Sequence, residues 1–244
     1  MDLILTGASR GIGAALTSAL RQRDDLRLFL VARDSSRLEA LAAQCRNAKV
    51  FSVDLASVQA ASELGQRLAS EVTNGATLIH NAGLWPSKLE LTAEGFERAY
   101  AVNHLAPLAL QEPLLEAKLL SRVLVVGAGL MVKGRFDAAK TPSGKDFSSF
   151  RTYATTKRCF AEATRATAAR QPEVDFAVVH PGVVNTELGA RTGPLGWLLK
   201  LVKRNWESPQ LCAARLARLL ERSRWSQPGT AAWFFEEAQQ PWPI

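Results

Sequence analysis

Three glycines in the stretch Thr6-Gly7-Ala8-Ser9-Arg10-Gly11-Ile12-Gly13 constrain this chain more than any other segment. They follow Asp2-Leu3-Ile4-Leu5, an apolar run of strand length, and open Ala14-Ala15-Leu16-Thr17-Ser18-Ala19-Leu20, which has helical composition and no breaker. A strand, a turn without side chains and a helix bring backbone N–H groups and a helix N-terminus close to anything held at the turn, as a pyrophosphate would be. The spacing is G-x-x-x-G-x-G, different from the G-x-G-x-x-G of other dinucleotide binders. Taken alone, the motif also fits a tight strand-to-helix turn that holds no ligand.

Apolar strands then alternate with helical stretches. Strands are expected at Leu26–Val31, Lys49–Val53, Thr77–His80, Val123–Val126, Val174–Val179 and Ala231–Phe235. Helices are expected from a Ser36-x-x-Glu39 capping box to about Arg46, from Ser57 to Val72, from Thr92 to Leu119, over Arg151–Arg170, and from Ser208-Pro209 to about Arg222. Pro107 and Pro113 should bend or divide the long helix. A polar loop at 128–150 and an irregular stretch at 183–207 separate the later elements, and Glu236–Ile244 reads as a short tail. This alternation gives an α/β fold: one doubly wound parallel sheet of Rossmann type, with helices on both faces. The chain, 1–244, reads as a single domain of ample size for one core. Ligands in such sheets bind at the C-terminal strand ends. The glycine turn, Asp54, Asn81, residues 127–129 and Pro181-Gly182 all fall there, so one site is implied.

Composition removes other classes. No apolar run approaches the ~20 residues of a membrane span. Cys45, Cys159 and Cys212 share no short spacing, which argues against a disulfide framework or zinc site and fits a reducing cytoplasm. No metal site is expected, and His80, His104 and His180 read as structural. Of the net charge of +7, much lies between Arg191 and Arg224, where eight basic residues face Glu207 and Glu221. Such a patch is either a set of solvated helix faces or a surface for an anionic partner such as lipid. No nucleic-acid motif accompanies it.

In order, Thr6-Gly7-x-x-x-Gly11-Ile12-Gly13, Asp54-Leu55, Asn81-Ala82-Gly83, Val102-Asn103-His104-Leu105, Tyr153-x-x-x-Lys157 and Pro181-Gly182 resemble the short-chain dehydrogenase/reductase family over essentially the full length. The stretches 102–105 and 180–188 and the long loop before Tyr153 are similar to its retinol-dehydrogenase-like branch. The resemblance implies an oxidoreductase that interconverts a carbonyl and an alcohol. Tyr153 would act as acid or base, Lys157 one turn on would favour phenolate and hold the nicotinamide ribose, and Asn103 would support a water path. A lysine at i+4 does share a helix face with the tyrosine, whose ordinary pKa of about 10 makes it a poor base unaided.

The resemblance further implies a cofactor site built from Gly7, Ser9, Arg10, Gly11, Ile12, Gly13, Arg33, Asp54, Leu55, Asn81, Ala82, Gly83, Tyr153, Lys157, Pro181, Gly182, Val183 and Thr186. Arg33 and Arg10 stand where relatives favouring NADP(H) carry basic residues, and a guanidinium fork suits phosphate. Asp34 leaves room for NAD(H), and Arg33 could instead serve a surface ion pair with Asp34 or Glu39.

One position departs from the family pattern. Ala128, 25 residues before Tyr153, stands where the family places a serine that orients the substrate carbonyl. Three consequences stay open: slow turnover, a hydroxyl recruited from Thr141, Ser143, Ser148 or Ser149, or a non-catalytic NADP(H)-binding regulator or scaffold. The segment 183–207 is expected to act as a substrate lid. Trp85, Met131, Phe136, Trp197, Leu198 and Leu199 would either line an apolar substrate pocket or serve as packing and dimer contacts. The resemblance also implies a homo-oligomer, a dimer or tetramer, paired through the helices near 92–119 and 151–170.

Overall fold

The computed structural model describes residues 1–186, 188 and 206–244. Its sheet has eight strands, β1 (Asp2–Thr6), β2 (Arg27–Ala32), β3 (Ala48–Ser52), β4 (Ala76–His80), β5 (Leu120–Val126), β6 (Asp175–His180), β7 (Ala231–Phe235) and β8 (Ala238–Gln240). The order is β3-β2-β1-β4-β5-β6-β7-β8, and every pairing is parallel except the last. The tail expected after residue 235 therefore supplies an antiparallel edge strand. A left-handed Glu236 (φ 56°) makes the turn.

Alternation along the strands splits the core in two. Ile4, Phe29, Leu78, Val123 and Phe176 face one layer, with α3 (Val58–Ala69), α5 (Ala106–Glu116) and α6 (Ser149–Arg170) over them. Leu3, Leu28, Ile79, Leu124 and Ala177 face the other, under α1 (Gly11–Leu20), α2 (Ser35–Ala42) and α7 (Pro209–Glu221). Where α3 meets α5, a Cβ at Gly65 would lie 2.4 Å from the Leu110 carbonyl, so only glycine permits the approach.

Three helix starts differ from the sequence reading, α6 by beginning at Ser149 in place of Arg151. Asp34, not Ser36, caps α2: its carboxylate accepts the Arg37 N–H at 3.1 Å, and the helix ends at Ala42. Strand β2 ends at Ala32, which leaves Asp34 at the boundary and puts Ser36 inside the first turn. The long helix begins at α4 (Arg98–Tyr100), not at Thr92. Gly95, in the left-handed region at φ 82°, closes a tight turn in which Thr92 N–H donates to the Phe96 carbonyl. Glu94 is thereby free to accept from Ser57 Oγ and from the Val58 and Gln59 amides, a remote cap on α3.

Between α4 and α5 lies a π-helical segment, Ala101–Leu105. Pro107 follows it. Proline has no N–H for the carbonyl four residues back, that of Asn103, and its ring crowds that carbonyl, so the turn widens.

Burial holds His80, at the end of β4, neutral: its pKa is pushed down to about 4, against a hydrogen bond to Gln111 at 3.1 Å. His104 in the π-segment is also lowered by burial to about 4. Both groups have folded pKa values below the unfolded value of 6.5, so the unfolded chain binds more protons between pH 6.5 and 4. Stability should be intact above that window and fall through it by on the order of 3 kcal/mol per histidine. Thermal melts from neutral to acidic pH check this, and a His104→Gln variant should lose roughly half of the slope.

Candidate active site

The site starts where β1 passes into α1. Gly7 has φ 68°, and a Cβ there would lie 2.8 Å from the Ala82 backbone. A Cβ on Gly13 would come within 2.2 Å of the Gly7 carbonyl, so α1 can pack on the turn only because Gly13 has no side chain. Gly11 (φ 53°) faces Thr186, whose Cγ2 would be 3.2 Å from a Cβ. Arg10, the N-cap of α1, makes no side-chain capping bond, and the first turn carries no acidic residue. Its leading N–H groups and the positive end of the helix are thus open to an anion.

Asn81 welds β4 to this turn. Its Nδ2 donates to the Thr6 carbonyl at 3.0 Å and to the Gly7 carbonyl at 3.2 Å. In return Thr6 Oγ1 accepts from the Asn81 and Ala82 amides, each at 3.1 Å.

A cavity of about 630 Å³ opens at these strand ends. Its walls bring together Gly7, Ser9, Arg10, Gly11, Ile12, Arg33, Asp54, Leu55, Asn81, Ala82, Gly83, Tyr153, Lys157, Pro181 and Thr186. Four expected residues do not border it. Gly13 serves helix packing, Asn103 lies behind the wall, and Gly182 and Val183 sit beside Pro181 but outside the lining.

At one end, Arg33 and Arg98 reach Asp54 at 3.7 and 3.8 Å. Arg33 thus pairs with neither Asp34 nor Glu39. Asp34 is occupied by the α2 cap and by Arg37 at 3.3 Å.

At the other end, α6 presents Tyr153 and Lys157 on adjacent turns. Tyr153 is 5% exposed, and burial pushes its phenol well above the usual range. Among the described residues no hydrogen bond occupies its hydroxyl. Lys157 Nζ donates to the Val126 carbonyl at 2.8 Å, and burial lowers its pKa to about 8. Gly83 makes room for it: a Cβ there would be 3.2 Å from Nζ and 3.6 Å from Asn103 Oδ1.

Asn103 holds the chain beyond Gly83. Its Oδ1 accepts from the Leu84 amide at 2.7 Å, and its Nδ2 donates to the Leu84 carbonyl at 2.8 Å and to Thr156 Oγ1 at 3.0 Å.

Trp85 lines the cleft, as expected. Met131 is instead fully buried in the core, and Phe136 stacks on Tyr100 away from the lining. Trp197, Leu198 and Leu199, with most of 183–207, lie outside the described residues. Of the hydroxyls considered beside Ala128, none borders the cavity. Thr141 donates to Asp146 at 2.8 Å, Ser143 donates to the Lys140 carbonyl at 3.2 Å, and Ser149 donates to the Pro86 carbonyl at 2.5 Å. Ser148, the N-cap of α6, makes no side-chain capping bond.

Sequence reasoning missed Leu84, Pro86, Ser87, Lys88, Glu90 and Arg98 in the lining. Their signal was positional only: they follow a β4 end already assigned to the site.

It also missed Arg215. This guanidinium joins three segments, donating to Glu236 Oε2 at 2.9 Å, to the Pro181 carbonyl at 3.1 Å and to Glu207. A β-bridge between Val184 and Glu207 lies beside it. Arg218 pairs with Glu237 at 2.7 Å, and Arg222 donates to the Glu237 carbonyl at 2.9 Å. The described part of the basic stretch is therefore largely engaged within the chain.

The family description "short chain dehydrogenase" matches residues 3–194. Retinol dehydrogenase 14 of Mus musculus is 30% identical over 208 residues, covering 77% of this chain and 62% of that protein. Retinol dehydrogenase 13 of Homo sapiens is 29% identical over 236 residues, covering 86% and 69%. An alcohol dehydrogenase from the archaeon Thermococcus sibiricus, complexed with 5-hydroxy-NADP, superposes with a TM-score of 0.70 at 23% identity, covering 98% of this chain and 96% of that one. The chain belongs to the short-chain dehydrogenase family and groups with its retinol-dehydrogenase-like branch. It spans about two thirds of the length of these two retinol dehydrogenases. No helix among the described residues is long and apolar enough to cross a membrane.

Arg215→Met would leave Glu207 and Glu236 without their shared cation. It should cost about 1–3 kcal/mol of stability. It should also speed amide exchange at Gly182, while exchange in β1 stays slow; thermal melts and hydrogen exchange check both.

Proposed function

We propose that the chain is an NADP(H)-dependent oxidoreductase that interconverts a carbonyl and an alcohol on an apolar substrate. The observation that carries this is the pairing of Tyr153 and Lys157 on one face of α6, both bordering the cavity that begins at the glycine turn. The turn fits a dinucleotide: Gly7 and Gly11 border the cavity, Gly13 lets α1 seat against the turn, and the N-cap Arg10 makes no side-chain capping bond at the helix N-terminus. Gly7, Ser9, Arg10, Gly11 and Ile12 would hold the pyrophosphate. Arg33 and Arg10 would meet the adenosine phosphate, since Asp34 is turned to its helix cap. Thr186 and Pro181 would border the nicotinamide, and Lys157 its ribose. When bound, the cofactor supplies or accepts the hydride.

This chain's residues handle the proton. Burial keeps the Tyr153 phenol protonated at neutral pH, which suits an acid that protonates a carbonyl oxygen. Lys157, buried with a pKa of about 8, carries a positive charge beside it at neutral pH and favours the phenolate left behind. Asn103 fixes the Leu84 backbone, next in the chain to the Trp85 that stacks on the phenol. Val126 and Gly127 line this side of the cavity, and Ala128 lies just past them, 7% exposed. With alanine there, this position offers no hydroxyl to the substrate oxygen.

Turnover should be measured as NADPH consumption against a panel of apolar aldehydes and ketones. Tyr153→Phe should abolish it while NADPH still binds. Ala128→Ser should raise kcat by roughly 10²-fold, the worth of one preorganised donor. Ala128 also favours a second reading, an NADP(H)-binding regulator or scaffold. That reading gains if NADPH binds, the panel gives no turnover, and Ala128→Ser restores none.

Arg33→Ala should raise the NADPH dissociation constant about 10- to 100-fold and leave that of NADH nearly unchanged. Titrations with both nucleotides check this. Loss of Lys157 charge should make carbonyl reduction decline as pH rises through about 8, and a pH–rate profile checks it.

A further inference from the structure

We propose that Trp85 determines substrate specificity, selecting carbonyl or alcohol substrates whose reacting carbon bears a flat aryl or conjugated group. This rests on the carbonyl–alcohol reading above and gives that site a substrate class.

The indole of Trp85 lies on the Tyr153 phenol with ring centroids 4.4 Å apart and planes 3° from parallel. The stack lies against one face of the phenol, and Tyr153 is 5% exposed. Parallel rings at van der Waals spacing with that centroid separation are offset, so the indole overhangs the phenol. Trp85 and Tyr153 both border the cleft, so a substrate held there meets a flat indole wall next to the phenol. A planar substituent stacks there; a puckered or branched one stands off or clashes.

The wall is held in place. Leu84, before it, is pinned through both backbone groups by Asn103. Pro86, after it, gives its carbonyl to Ser149 Oγ, and the indole N–H donates to the same Ser149 oxygen at 3.2 Å. Swinging the indole aside would break a hydrogen bond and a stack. The surface also continues outward: Phe150 lies 6.4 Å from Trp85, tilted by 59°, and is 46% exposed. Leu84, Pro86, Val102 and Leu188 complete an apolar border.

The test compares benzaldehyde with cyclohexanecarboxaldehyde, rings of equal size that differ in flatness. The ratio of their kcat/KM values is measured in the natural chain, in Trp85→Phe and in Trp85→Leu. Comparing ratios across variants cancels the intrinsic reactivity of each aldehyde. Trp85→Leu should lower the ratio by about three- to tenfold, the worth of one aromatic stack, and Trp85→Phe should retain most of it. The NADPH dissociation constant should stay within about twofold, which confirms an intact fold. An unchanged or higher ratio in Trp85→Leu overturns the proposal.

A second arm needs no turnover. Calorimetry of benzyl alcohol and cyclohexylmethanol, with and without NADP⁺, should show tighter binding of the flat ligand, lost in Trp85→Leu. Equal affinities overturn the proposal even in an active enzyme. A flat-ligand preference without turnover leaves Trp85 in its role and counts against the oxidoreductase reading instead.

Discussion

The close approach of the β1–α1 turn to the end of β4 is the contact on which the rest of the structure depends. Asn81 reaches across from β4 and satisfies two carbonyls of the turn, while Thr6 answers with two acceptor contacts from its hydroxyl. Gly13 lets the helix seat against the same turn. These groups are buried or half-buried and would be costly to leave unpaired, so they fix the relative position of the two central strands. Everything at the strand ends, from Gly83 to the lysine that lies over it, takes its place from that weld.

The same economy of backbone contacts recurs around Tyr153. Its helix is tied to the loop before it: Thr155 accepts from the Arg135 amide at 3.0 Å and donates back to that residue's carbonyl at 3.1 Å. The polypeptide opposite is held by Asn103 and Ser149. The phenol therefore sits between two restrained segments.

Charge beside the Pro181 loop is organised by Arg215. One guanidinium joins the chain after β6, the residue before Ser208 and the strained Glu236 after β7. A planar fork with several donors can serve three acceptors from separate segments, which a lysine cannot do with the same geometry. Arg215, Arg218 and Arg222, which read as part of a basic patch along the chain, are tied in three dimensions to acceptors of the same chain.

The sequence by itself determined the alternation of strands and helices, the glycine turn, and the gathering of Asp54, Asn81, Tyr153, Lys157, Pro181 and Thr186 at one edge. Those follow from signals a few residues long: apolar runs, breakers, and a tyrosine and lysine one turn apart. Boundaries moved where a remote or neighbouring group competed, as at Asp34 for α2 and at Gly95 before α4. The antiparallel β8 was hidden because Ala238–Gln240 is polar and exposed, with no apolar pattern to mark a strand. Tertiary structure alone decided that Asn103 serves the Leu84 backbone, that Arg33 meets Asp54, that Arg215 ties the Pro181 loop, and that Trp85 covers Tyr153. Each joins side chains from different elements, and their distance depends on strand order and on the tilt of packed helices. No local propensity carries that information.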